Sequence, residues 1–222
     1  MQVTYSHYYG SQEKHNLQLY HANLHCEPHE EVEALANGWL LYNNQWYQSR
    51  STRIVLSDWQ YFPKMHDYKL QFTNTPQSEE YIKIWNYYLN ARAYPQIYDP
   101  FFKTDRDLWM EFYWKDEIQG FTKFVKYNGG LESQFNFYIP YPQWKIGQEM
   151  LMHEAQYAAS LGLEHLYIGS GYEKSSIYKA HLSGFQWWNG VEWSNDKNEY
   201  IELCKQDSSV TSLSDLSRIA NK

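Results

Sequence analysis

Residues 108–139 read LWMEFYWKDEIQGFTKFVKYNGGLESQFNFYI. Three runs rich in aromatic and β-branched residues, 108–114, 118–127 and 131–139, are separated by Lys115-Asp116-Glu117 and by Asn128-Gly129-Gly130. Short polar or glycine-rich separations between such runs make antiparallel hairpins, so the stretch reads as a three-stranded meander. Beyond it the period changes. Ile146, Met150, Leu151, Ala155, Ala158 and Leu161 recur at helical spacing, and Gly162 stops the helix.

Further downstream, 165–169 reads as a short buried strand and 175–182 as a helix closed by Gly184. Residues 185–193 and 199–205 read as final strands. The tail from 207 is polar and Ser-rich, frayed, with at most a weak helical turn at 214–220. Upstream, Thr75-Pro76 opens a helix that buries Ile82, Trp85, Tyr88 and Leu89 and ends before Pro95. Residues 28–36 read as a short helix capped by Asn37-Gly38, 39–47 as two strands about Asn43-Asn44, and 51–59 as another strand. Residues 1–27 show no clear period and read as a loop leading into the first helix.

Of 222 residues, 43% are hydrophobic, enough for one substantial core or a core domain with an N-terminal appendage. Aromatics reach 19%, with 22 Tyr and 10 Trp, residues that pair contact area with a polar handle and suit cleft walls. A formal charge of −7 argues against binding a polyanion by bulk charge, leaving a local basic patch as the route to one. No apolar run approaches a membrane span, and 1–20 holds no signal-peptide core. Cys26 and Cys204 form neither a framework nor a CxxC pair. A soluble, reducing, cytoplasmic setting without membrane partners is the expectation. His25, Cys26, Glu27 and His29 are metal-ligand types, but no second ligand pair closes a site, and no metal is assigned.

The order of meander, loop, helix, strand and helix resembles the GNAT acyltransferases. Residues 141–148, YPQWKIGQ, resemble that family's acyl-CoA pyrophosphate loop. A helix N-terminus offers unpaired N–H groups and a positive dipole end, and a glycine there admits phosphate to the backbone. The resemblance therefore implies that Gln143, Lys145, Ile146, Gly147 and Gln148 hold the acyl donor. Glu149 stands where the family has a second glycine, and its charge opposes a phosphate. Tyr178, in a segment like the family's Tyr-x-x-x-Gly-Phe, is implied as the general acid; a neutral phenol can protonate a leaving group.

Leu166-Tyr167-Ile168-Gly169-Ser170-Gly171-Tyr172 followed by Ser176-Ile177-Tyr178-Lys179 resembles the C-terminal half of arginyl- and leucyl-type aminoacyl-tRNA–protein transferases. The N-terminal run through Gly38-Trp39 to 47–54, YQSRSTRI, resembles the arginyl family's Gly-Trp segment and Arg-bearing stretch. Those enzymes carry N-terminal cysteines where this chain has Cys26 alone. The resemblance implies an α/β, GNAT-like mixed sheet: a central antiparallel meander flanked by helices, on 61–206. An N-terminal subdomain spans 1–60 and a tail 207–222. It implies aminoacyl transfer from aminoacyl-tRNA to a protein N-terminal amine, with no tightly bound cofactor. Two alternatives stay open: an acetyl-CoA-dependent N-acetyltransferase acting on a small amine, and a non-catalytic GNAT-like binding module.

Transfer to an amine needs a base, for which Glu111 on the first meander strand is the candidate, and oxyanion donors, expected from 134–139. Arg50 and Arg53 can each clamp a carboxylate or phosphate, but three residues apart on a strand they face opposite ways, so one at most enters the cleft. Tyr172 and Ser176 join them as substrate-binding candidates. Trp187 and Trp188, adjacent on a strand, should put one ring in the core and one in the open, where Trp188 is the candidate for stacking on substrate.

Overall fold

The computed structural model describes residues 2–9, 18–42, 44–60, 67–74, 79–92, 101–141 and 145–208. In chain order the elements are β1 (Gln2–Tyr9), β2 (Gln18–His25), a 3-10 turn (Pro28–Glu30), α1 (Glu31–Ala36), β3 (Trp39–Tyr42), β4 (Gln45–Gln48) and β5 (Ser51–Val55). A second 3-10 turn (Leu56–Asp58) precedes β6 (Lys69–Thr73), α2 (Glu79–Arg92), β7 (Asp107–Trp114), β8 (Glu117–Tyr127), β9 (Gly130–Tyr138) and α3 (Ile146–Ser160). Then come β10 (His165–Ser170), a 3-10 helix (Lys174–His181), β11 (Phe185–Trp188), β12 (Trp193–Ser194) and α4 (Lys197–Asp207). The chain forms two compact units, Met1–Asp58 with Ile168–Lys222, and Trp59–Tyr167. The division between the units falls after Asp58 and, within β10, between Tyr167 and Ile168.

The 59–167 unit is a mixed sheet flanked by helices. The predicted meander is present as β7-β8-β9, antiparallel throughout. β6, for which the sequence offered no strand, adds to β7 from Lys69↔Tyr113 to Thr73↔Trp109. β10 joins β9 in parallel through Leu166↔Leu131 and Tyr167↔Glu132. Side chains alternate across a strand. Trp109, Phe121 and Phe137 therefore share one face, where Tyr81 of α2 stacks on Phe121 at 4.2 Å. Phe112, Phe124, Thr122 and Asn136 meet α3 on the other, through His153, Tyr157 and Glu154. Each ring so buried contributes on the order of 1.5–3 kcal/mol.

The helical stripes are shifted from their predicted positions in one case. On α2 the buried residues are Tyr81, Ile84 and Leu89, with Trp85 and Tyr88 partly buried and Ile82 exposed. The buried stripe thus keeps Trp85, Tyr88 and Leu89 and takes Tyr81, stacked on Phe121, in place of Ile82. On α3, Ile146, Met150, Leu151, Ala155 and Ala158 are buried as predicted, whereas Leu161 caps the helix and is exposed. The predicted opening at Thr75-Pro76, the end before Pro95, and the tail beyond 208 lie outside the described residues.

Glu154 is the unexpected member of the α3 stripe. It is fully buried; its Oε1 accepts from Thr122 Oγ1 at 2.5 Å and Asn136 Nδ2 at 2.7 Å, while Oε2 has no hydrogen-bond partner among the described residues. Burial pushes this carboxyl up, against the hydrogen bonds from Thr122, Ser133 and Asn136. A carboxyl raised on folding gives its full stability below the unfolded value of 4.5, and that stability is lost as pH rises toward the folded pKa. Glu154→Gln removes the titration. The melting temperature of the variant relative to the parent should therefore climb from pH 4.5 to 8, at about 1.4 kcal/mol per pH unit inside the titration window. A difference constant over that range would overturn the assignment.

The other unit holds a four-stranded antiparallel sheet, β1-β2-β4-β3, and the antiparallel strands β5, β11 and β12. Two sequence expectations are corrected here. Residues 1–27 are not a plain loop: β1 and β2 form a hairpin from Gln2↔His25 to Tyr9↔Gln18. Residues 199–205 are not a strand but the body of α4. Asp196 accepts from the backbone N–H groups of Asn198 and Glu199 at 3.0 and 2.9 Å, which caps the helix, and Tyr200 and Cys204, one turn apart, are its buried face. The 175–182 helix is present as 3-10 helix over Lys174–His181. The final strand run is broken into β11 and β12, a hairpin pairing Trp188↔Trp193.

Candidate functional site

Arg50 lies between β4 and β5, and three hydrogen bonds, two of them to its backbone, hold the end of β10 beside it. Gly171 N–H donates to Arg50 O at 2.8 Å, Arg50 N–H to Tyr172 Oη at 2.9 Å, and the Ser49 and Ser170 hydroxyls meet at 2.8 Å. Thr52 Oγ1 donates to Gly169 O at 2.7 Å. The buried Lys179 ammonium donates to Ile168 O at 2.6 Å and Ser170 O at 2.7 Å, tying the 3-10 helix to the same strand end.

The Arg50 guanidinium lies 4.9 Å over the Tyr172 ring and forks onto Asp207, Nη1 to Oδ2 at 2.6 Å and Nη2 to Oδ1 at 3.3 Å. Burial disfavours its charge, and the Asp207 carboxylate more than offsets that, so its pKa is raised. The same carboxylate accepts from Glu173 N–H at 3.1 Å and holds Glu173 at φ 60. Burial pushes the Tyr172 phenol up, so it is a neutral hydroxyl.

These groups form one side of a cavity of about 430 Å³. Gln48, Ser49, Arg50 and Tyr172 line it from β4, β5 and the end of β10; Trp187, Trp188, Asn189 and Gly190 from β11 and its turn; Glu199 and Leu203 from α4. Both tryptophans are buried, at 2% and 5% exposure, which corrects the expectation that one ring would be open. Trp187 packs toward Tyr200 of α4, and its Nε1–H donates to Asp196 O at 2.9 Å. Trp188 faces Gly38 and Trp193 instead. A strand covered on both faces buries both members of an adjacent pair. The Trp188 Nε1–H has no hydrogen-bond partner among the described residues.

Three of the five substrate-binding candidates, Arg50, Tyr172 and Trp188, are thus in one wall. Arg50 does not present an open clamp, because Asp207 occupies its fork. Arg53 donates to Gln186 Oε1 at 2.8 Å and lies 4.1 Å over Trp193, away from the cavity lining. Ser176 is half-buried, its carbonyl accepting from Tyr200 Oη at 3.2 Å. Tyr178 is 41% exposed on the 3-10 helix.

In the other unit, Glu111 is held by Tyr81 and Tyr113: both phenols donate to its carboxylate, the second at 3.1 Å. Of the donor loop, Gln143 lies outside the described residues. Lys145 precedes α3 and is exposed, and Ile146 is buried. Gly147 does make a close approach, but to Tyr138: a Cβ there would lie 2.7 Å from the Tyr138 ring. Gln148 and Glu149 N–H groups both donate to Lys145 O, at 2.9 and 3.1 Å. The Tyr138 ring thus lies against the open side of Gly147, and the Gln148 and Glu149 N–H groups make ordinary first-turn helix bonds. The parallel ladder of β9 with β10 has its pairs at Leu131 and Glu132, ahead of the 134–139 stretch expected to hold oxyanion donors.

Sequence reasoning missed Asp207, Glu199, Asn189 and Lys179. Asp196 followed by Glu199 is a capping signature that would have marked α4 and brought Glu199 and Asp207 into view. Among the described residues no cluster of three or more His, Cys, Asp or Glu could hold a metal ion. No helix among them is long and apolar enough to cross a membrane.

No protein family and no curated protein matches this chain. Among solved structures, L-PGS from Bacillus licheniformis is similar at 12% identity and a TM-score of 0.42, over 65% of this chain and 52% of that one. The C-terminal domain (DUF2156) of a candidate lysylphosphatidylglycerol synthetase from Agrobacterium fabrum is similar at 8% identity and a TM-score of 0.41, over 69% and 55%. A conserved Staphylococcus epidermidis protein of unknown function gives 13% and 0.35, over 70% and 63%. This chain spans about half the length of the first two.

Proposed function

We propose that the chain is an acyltransferase that moves an aminoacyl group from aminoacyl-tRNA to the N-terminal amine of a protein. One observation carries this reading. The two segments that resemble aminoacyl-tRNA–protein transferases, 47–54 and 166–179, are bonded to each other through Arg50 and Tyr172 and share one cavity. Segments 122 positions apart that build one concave, polar-aromatic wall are what a binding site requires.

In this reaction the neutral acceptor amine attacks the ester carbonyl, the C–N bond forms, and the tetrahedral oxyanion collapses with release of the tRNA terminal oxygen. The attacking nitrogen gives its proton to solvent water. Tyr178 is proposed to give one to the leaving oxygen, for which its exposed phenol is suited.

The test is transfer of a radiolabelled amino acid from charged tRNA to a peptide with a free N-terminus. Transfer should depend on that free amine, and Tyr178→Phe should lower kcat about 100-fold or more with KM little changed. Acetyl transfer from acetyl-CoA to a small amine, with none from charged tRNA, would overturn the reading. The packing of Tyr138 at Gly147 disfavours that outcome.

A further inference from the structure

We propose that Glu154 keeps its proton in a closed hydrogen-bond ring with Thr122 and Asn136, and that this ring is a pH-operated lock between α3 and the meander. The inference stands apart from the proposed function.

The first ground is a count of protons. Three side chains meet pairwise: Thr122 Oγ1 lies 2.5 Å from Glu154 Oε1 and 3.2 Å from Asn136 Oδ1, and Asn136 Nδ2 lies 2.7 Å from Glu154 Oε1. An ionised carboxylate only accepts, and a threonine hydroxyl has a single proton to give. With Glu154 ionised, that proton serves Glu154 or Asn136, and the other pair of oxygens is left facing without a hydrogen. Turning the Asn136 amide over brings no relief, because its oxygen then faces the carboxylate oxygen at 2.7 Å. A neutral carboxyl closes the ring: Glu154 Oε1–H donates to Thr122 Oγ1, Thr122 to Asn136 Oδ1, and Asn136 Nδ2–H back to Glu154 Oε1. With the amide turned over, the same ring closes in the opposite sense.

Burial is the second ground. Glu154 and Thr122 are 0% exposed, and Glu154 Oε2 has no hydrogen-bond partner among the described residues. A carbonyl oxygen can be left so at modest cost, whereas an oxygen sharing a carboxylate's charge cannot. The influences on this carboxyl are its burial and the neutral side chains of Thr122, Ser133 and Asn136, with no charged group among them. The ionisable side chains of the surrounding elements are engaged elsewhere. On α3, His153 meets Tyr68 and Phe112 edge-on, Tyr157 lies against Phe72 and Phe124, and Glu149 bonds to Tyr68. On the strands, Lys126 is exposed, Lys123 pairs with Asp107, and Glu132 accepts from Tyr127.

The ring takes one side chain from α3 and one each from β8 and β9, so breaking it removes bonds between helix and sheet. Asn136 is its half-buried member, through which water reaches the proton. Ionisation therefore loosens α3 and not α2, which packs on the opposite face of the meander.

The test uses the full chain. Infrared spectra in heavy water at neutral pH should show the carbonyl band of a protonated carboxyl, absent from Glu154→Gln. Amide hydrogen exchange, corrected for its intrinsic pH dependence, is then followed as pH rises. Over the range in which the band disappears, α3 amides should lose about 10-fold in protection relative to α2 amides. Glu154→Gln should hold that ratio constant. Thr122→Val should show the lower α3 protection already at neutral pH, and Thr122→Ser, which keeps the hydroxyl, should match the parent. If Glu154→Gln fails to fold, the parent's band and the two Thr122 variants still decide. Absence of the band at neutral pH overturns the proposal, as does parental α3 protection in Thr122→Val. A fall shared equally by α2 and α3 also overturns it, because the carboxyl would then act on the whole unit and lock no single helix.

Discussion

Gly38→Ala should lower stability by about 3–4 kcal/mol. Gly38 sits at φ +75, in the turn between α1 and β3, where a side chain adds roughly 1–2 kcal/mol of strain. A Cβ there would also lie 2.3 Å from Trp188 Cγ and 2.4 Å from Cδ2. The ring cannot yield cheaply. It is a rigid indole at 5% exposure, in edge contact with Trp193 at 5.7 Å. The turn cannot yield either, since Gly38 O accepts from the buried Ser51 hydroxyl at 2.6 Å. Gly169→Ala separates the two effects. Gly169 has φ +67 but nothing within 4 Å of its Cβ, so it should show the strain alone. For a chain of this size the expected fall in melting temperature is about 10 °C for Gly38→Ala and about 4 °C for Gly169→Ala. Equal falls in the two variants would mean that Trp188 is not fixed by this turn.

The Gly38–Trp188 contact also shows where the sequence stopped being informative. Asn37-Gly38 was readable as a helix stop, because backbone conformation is a local property. That the same glycine must admit an indole from residue 188 is not local, and nothing in its neighbours announces it. The meander was legible for the first reason: alternation and polar turns over 108–139 are short-range signals, and β7, β8 and β9 follow them. β6 was not, since Lys69–Thr73 is mostly exposed and owes its extension to pairing with β7. α4 was misread because Tyr200-Ile201-Glu202-Leu203-Cys204 carries apolar residues at both periods, and the Asp196 cap decides between them. In the site, Arg50 and Tyr172 lie in the segments that carry the resemblance, and Trp188 was found as one of an adjacent pair on a strand. Asp207, which determines whether Arg50 can bind an anion at all, was hidden by assignment to the tail.

Asp207 and Asp107 illustrate one rule with opposite consequences. In the wall of the cavity, pairing Arg50 with Asp207 leaves a polar surface whose charge is set by Glu199. Inside the 59–167 unit, Asp107 and Lys123 pair with no surface to serve. Lys123 is 0% exposed; its ammonium is 3.4 Å from Asp107 Oδ2, donates to Phe102 O at 2.8 Å, and lies 3.5 Å over the Phe102 ring. Asp107 in turn accepts from Thr104 N–H and Oγ1, each at 2.8 Å, which shapes the entry to β7.

Asp107→Asn should therefore cost about 3–5 kcal/mol. The amide oxygen can still accept from Thr104, but a buried ammonium loses its counter-charge. Lys123→Met alone should cost a similar amount, because it strands the carboxylate. The double variant should regain most of the loss, since replacing both charges by groups of similar volume is often neutral. The readout is urea unfolding followed by tryptophan fluorescence, to which Trp109, 5.7 Å from the Lys123 ammonium, contributes. A coupling of at least about 3 kcal/mol between the two substitutions is the expected result. If the single losses simply add, the pair is not an interacting unit, and Lys123 is held by the Phe102 carbonyl and ring.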